Sequence, residues 1–78
     1  MSREMSEVEE AIAAYWRYQR RQGFDDCQIS QPTRHSEVRD GKVILTNCRG
    51  YLATYHLNSH RVTQSRNERR RVERELHA

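Results

Sequence analysis

The stretch Ser65-Arg66-Asn67-Glu68-Arg69-Arg70-Arg71-Val72-Glu73-Arg74-Glu75-Leu76 constrains the fold more than any other part of the chain. It places five arginines in nine positions and offers only Val72 and Leu76 for burial. A helix that packs on a core carries a broad apolar stripe, and this one has almost none. The core must come from the residues before it, and the arginines are expected to meet solvent, an anion or an acidic partner.

Those earlier residues supply a thin core. Of 78 residues, 35% are apolar with Ala and Cys included, which fits one small domain and leaves no room for a second. Chains of this size and polarity often gain stability from metal, disulfides or self-association, so a homodimer is one expectation. Cys27 and Cys48 are too few for a disulfide framework and are expected to be small buried hydrophobes with reduced thiols. No apolar run reaches membrane-spanning length, and the N-terminus lacks the apolar core of a signal peptide. A cytoplasmic protein without membrane contact is expected.

The first element is well specified. After a tail over residues 1–5, Ser6 and Glu9 have the spacing of a capping box. Met5, Val8, Ile12, Tyr15, Trp16 and Gln19 recur at helical intervals, with glutamates at the amino end and arginines at the carboxyl end to suit the helix dipole. Gly23 then supplies a left-handed stop, onto which Phe24 is expected to fold back. The pattern predicts a helix over residues 6–22.

An antiparallel meander of three strands is predicted over residues 26–57. Cys27 and Ile29 alternate with polar residues up to Pro32 and read as an irregular first strand. Asp40-Gly41 is a strong hairpin signal between Ser36–Arg39 and Lys42–Thr46. A second turn at Asn47–Gly50 leads into Tyr51–Leu57, and Asn58-Ser59-His60 reads as a loop. The final helix is predicted over residues 64–77, capped by Thr63 or Ser65. This α-β-β-β-α order defines an α+β domain with both helices on one sheet face. The other face, bearing Tyr51 or Tyr55, would be open to solvent or a second subunit. The core is expected to draw on Val8, Ile12, Trp16, Phe24, Ile29, Val38, Val43, Leu45, Leu52 and Leu57.

Charge divides unevenly beneath a net +3. Residues 1–40 hold six arginines against eight acids, whereas residues 41–78 hold seven arginines and one lysine against three acids. A basic half of this kind suits DNA or RNA, or an acidic protein surface. The residues expected to make that contact are Arg66, Arg69, Arg70, Arg71 and Arg74, aided by Arg49 and Arg61. Arg17-Tyr18, Arg20, Arg21, Arg34-His35, Arg49-Gly50-Tyr51 and His60-Arg61 interleave cations with rings able to stack on bases. Glutamates dilute the last helix, where Glu68 and Glu75 with Arg71, and Glu73 with Arg69, have the spacing of internal ion pairs. A solvated charge run accounts for the same pattern, and the residues alone leave both open.

The element order, with Arg66, Arg69, Arg70 and Arg71 at the start of the last helix, resembles double-stranded RNA-binding domains in topology and charge. The chain departs from that family in lacking its alanine-rich face and lysine cluster on the last helix. Its first helix presents Glu7, Glu9 and Glu10, so no residue role is carried over.

Other chemistries find less support. His56 and His60 have His-x3-His spacing, but Cys27 and Cys48 are 21 residues apart, unlike the close pairs of zinc fingers. No metal and no cofactor are expected. His35-Ser36-Glu37 and Asp25-Asp26 are local clusters without a phosphate loop or a nucleophile elbow around them. The sequence thus favours a non-enzymatic protein binding nucleic acid through its arginine-rich helix. The competing class is a protein-interaction module, an adaptor or inhibitor of the kind phages and mobile elements carry.

Overall fold

The computed structural model describes residues 6–76, so the tail over 1–5, the stripe residue Met5 and His77 lie outside the described residues. Helix α1 spans Glu7–Arg21 and starts at the expected cap, with the Ser6 hydroxyl accepting from the Glu9 amide at 3.1 Å, but among the described residues the reciprocal bond of a capping box is not formed. At its end Gly23, at φ 94°, lets its amide bond to the Arg20 carbonyl and the Phe24 amide to the Gln19 carbonyl. This double bond pattern satisfies the last free carbonyls. Phe24 does not fold back: it stays 47% exposed.

The predicted strand around Cys27 and Ile29 is absent. Asp26–Gln28 forms one tight helical turn instead, and residues 29–36 run irregularly into the sheet. Local bonds explain why. The Asp25 amide donates to Gln28 Oε1 at 2.9 Å, and Pro32 has no amide for a ladder. The loop is fixed to the sheet by the Thr33 amide on the Thr46 carbonyl at 2.7 Å, and by Ser36, which donates to the Thr33 carbonyl and accepts from the Thr46 amide.

Four antiparallel strands follow in meander order, β1 (Glu37–Arg39), β2 (Lys42–Asn47), β3 (Gly50–His56) and β4 (Arg61–Thr63), and then helix α2 (Arg66–Leu76). The α+β class and the antiparallel meander are as the sequence indicates, but the sheet gains a fourth strand, β4, in a stretch read as loop and cap. Only three residues long, β4 carries too little pattern to register as a strand; it is recruited by pairing, Thr54 with Thr63 and His56 with Arg61. Asp40 and Gly41, at φ 50° and 74°, make the expected tight β1–β2 turn.

The helices lie on opposite faces of the sheet, not on one. Within β2, Val43 and Leu45 join Ala11, Ala14 and Tyr15 of α1, while Ile44 between them joins Val72 of α2. A bulge completes the division. Leu45 pairs with Ala53 and Thr46 with Tyr51, so Leu52 is an extra residue in β3. Strict alternation would put Tyr51, Ala53 and Tyr55 on one side. The bulge sends Tyr51 to the α2 side and keeps Ala53 and Tyr55 on the α1 side. Both tyrosines, expected on an open face, are buried, and the face expected to receive a second subunit is covered by α2.

The core differs accordingly from its expectation. Val43, Leu45 and Ile29 are buried, and Val8, Ile12, Trp16, Leu52 and Leu57 pack against them at the margin. Val38, on the short outer strand, is 43% exposed. The centre of the α1 face is Ala11, Ala14 and Tyr15, where two small side chains bring the helix close to the sheet. Trp16 sits at the rim, its indole N–H donating to Gln31 Oε1 at 2.9 Å. Cys27 and Cys48 are both exposed, contrary to expectation, because each falls in a turn.

Candidate nucleic-acid interface

Helix α2 is set in place at its start by Ser65. The Ser65 amide donates to the Tyr51 hydroxyl at 2.8 Å, and the Ser65 hydroxyl accepts from the Glu68 amide at 3.3 Å. Ser65, not Thr63, is therefore the cap, since Thr63 is held in β4. Ser65→Ala is expected to cost about 1 kcal/mol of stability, the usual value of such a cap, measured by urea unfolding followed by circular dichroism.

Glu68 is the unusual residue of this helix. It is 8% exposed and lies against the sheet, where Arg71 Nε donates to one carboxylate oxygen at 3.1 Å and Lys42 Nζ to the other at 3.4 Å. Burial alone would raise its pKa; the bonds and charges of Arg71 and Lys42 outweigh it and hold the carboxyl below the ordinary range. Arg71 in turn meets three carboxylates, adding Glu75 at 2.8 Å and Glu37 of β1 at 2.7 Å. The expected pairs of Arg71 with Glu68 and Glu75 are thus formed. The expected pair of Glu73 with Arg69 is not formed among the described residues.

Arg71 is consequently a tie between α2 and the edge of the sheet and offers little to a partner. Arg66, Arg70 and Arg74 behave differently. Their four-residue spacing puts them along the helix side opposite Val72 and Glu68, about 6 Å apart along the axis. All three are exposed, as is Arg69 on the flank. None of the four meets a carboxylate within 4 Å among the described residues.

The two auxiliary arginines are not neighbours. Arg49 sits in the β2–β3 turn, its amide on Asn47 Oδ1, near the α2 terminus where Leu76 reaches over Gly50. Arg61 pairs with His56 at the far end of β3, about 20 Å away along the strand. There it joins a groove of about 310 Å³ between α1 and β4, lined by Ala14, Arg17, Tyr18, Arg21, His60 and Val62 besides itself. The sequence pairs Arg17 with Tyr18 and His60 with Arg61, but only the fold joins the two segments.

The two histidines of the His-x3-His spacing have separate partners. His56 Nε2 is 2.8 Å from the Thr63 hydroxyl, and His60 Nδ1 is 2.9 Å from the Tyr55 hydroxyl. Among the described residues no three of His, Cys, Asp and Glu are grouped as a metal site, and no helix is long and apolar enough to cross a membrane. No protein-family model matches the chain, and neither a curated protein nor a solved structure matches it.

Proposed function

We propose that the protein is a non-enzymatic nucleic-acid-binding domain that contacts phosphates through the outer ridge of α2, with Arg66, Arg70 and Arg74 in line and Arg69 beside them. One observation carries this reading. The helix commits Arg71 to three carboxylates and leaves the outward arginines with none among the described residues. Unpaired like charges repeated along one ridge raise the energy of the free protein and suit a repeating anion better than a single carboxylate. Arg49, near the end of the ridge, extends the same surface.

The test is fluorescence anisotropy with short duplex and single-stranded DNA and RNA across a salt series. With four phosphates engaged, log Kd against log salt is expected to have a slope near 4 in magnitude for duplex DNA. The variant Arg66→Glu/Arg70→Glu/Arg74→Glu is expected to lose at least a hundredfold in affinity while keeping its circular dichroism spectrum. Absence of binding at low salt, where electrostatic attraction is strongest, would sink the proposal and favour an acidic protein surface as the partner.

A further inference from the structure

The groove between α1 and β4 lies on the other side of the sheet from the α2 ridge, and its charge is of a different kind. Of the three arginines near the end of α1, Arg20 is fully engaged. It forms a two-bond pair with Asp26 at 2.9 and 3.2 Å, and its guanidinium lies 5.6 Å from the centre of the Trp16 ring. Arg17 and Arg21, one turn apart, instead line the groove together with Arg61 and His60. Among the described residues no carboxylate lines the groove. Among the described residues none of these three arginines meets a carboxylate within 4 Å.

Glu10, the acid beside the lining residue His60, is already engaged. The Tyr55 hydroxyl donates to it at 2.6 Å, and His60 Nδ1 stands 3.6 Å away. These contacts fasten the β3–β4 turn, with His60 in a left-handed conformation at φ 57°, to α1, and bring Arg61 to the groove that Arg17 and Arg21 line.

We infer that this groove is a binding site for a nucleoside 5′-phosphate, either a free nucleotide or the phosphorylated end of a strand. A groove lined by three arginines suits a dianion better than one carboxylate or one phosphodiester, and a phosphomonoester carries nearly two negative charges at neutral pH. Planar guanidinium forks match phosphate oxygens in pairs. Tyr18, with Ala14 and Val62, supplies an apolar wall and a ring on which a base can stack. A volume of about 310 Å³ exceeds the need of a bare inorganic anion and falls at the small end of organic ligand sites. The inference does not require the α2 ridge to bind nucleic acid, because it concerns a separate surface.

Isothermal titration with adenosine, inorganic phosphate and AMP tests it at constant ionic strength. AMP is expected to bind at least tenfold more tightly than either of the others. Arg17→Ala/Arg21→Ala, and separately Arg61→Ala, should each remove that preference, whereas Arg70→Glu on the ridge should leave it intact. AMP binding no better than adenosine binding, or binding undiminished in both groove variants, overturns the inference. The groove variants alter exposed residues, and a wild-type melting temperature would show that they remain folded. Oligonucleotides with and without a 5′-phosphate identify the source. Tighter binding of the phosphorylated form, lost in the groove variants alone, marks a strand end; equal binding of the two forms with AMP still bound marks a free nucleotide.

Discussion

Arg71→Ala is expected to destabilise the fold by about 3 kcal/mol, the low end of the range for removing one partner of a buried ion pair. Its side chain is 24% exposed, so water offsets part of the loss, but Glu68 is left buried with Lys42 at 3.4 Å and the more distant Arg39 at 4.0 Å as its cations. The tie from α2 to Glu37 of β1 disappears as well. Since Val72 is the one apolar side chain of α2 that is buried, the helix has little else to hold it. Urea unfolding followed by circular dichroism measures the effect. Arg71→Lys is expected to recover part of it, because an ammonium cannot serve three carboxylates in a fixed plane. The double change Glu68→Leu/Arg71→Met should come close to wild type, since it removes the buried charge and its partner together. A loss below 1 kcal/mol in Arg71→Ala would refute the assigned role.

The same cluster gives a signature in acid. The folded carboxyl of Glu68 titrates below its ordinary value of 4.5, so at pH values between the two the unfolded chain binds more protons. Its stabilising contribution is present above pH 4.5 and is lost as the pH falls through the lower folded value. Glu68→Gln should flatten that part of the stability profile.

Tyr55→Ala is expected to cost about 3–5 kcal/mol, as large-to-small changes at packed aromatic positions do. The ring is 2% exposed and joins the α1 core, while its hydroxyl meets Glu10 and His60. Tyr55→Phe separates the two contributions: it retains the ring and should cost about 1 kcal/mol. Burial, with the Glu10 carboxylate at its hydroxyl, pushes the Tyr55 pKa up to about 12 from 10.0. The unfolded chain therefore loses this proton first, and the contribution is full below pH 10 and declines as the pH rises towards 12. Wild-type stability should fall more steeply than that of Tyr55→Phe above pH 10, as chemical unfolding at a series of pH values can measure. Parallel profiles would contradict the assignment.

What could be read from the sequence follows from which signals are local. The α1 cap, the Gly23 stop and both tight turns depend on neighbours within a few residues, and each forms where the pattern places it. The two faces of the sheet depend on parity, and an unannounced bulge at Leu52 reverses it for Tyr51. Ala11, Ala14 and Ala53 matter because they are small, a virtue that a search for large apolar anchors overlooks. For the arginine helix the residue types are legible but their division is not. Glu37, which claims Arg71, is 34 residues away in the chain, and only the fold distinguishes that arginine from Arg70 beside it. The groove is equally hidden, since Arg17 and Arg61 come to line one groove only through α1 packing beside β4.

Strand β2 contributes consecutive residues to both hydrophobic clusters, Val43 and Leu45 to one and Ile44 to the other. The two half-cores are thus mechanically one object: neither can melt without releasing a backbone that the other needs. Amide protons of β2 belong in the slowest-exchanging class, reporting global opening, while short β1 and β4 open by fraying. In so small a domain, this shared strand is what makes cooperativity available despite a divided interior.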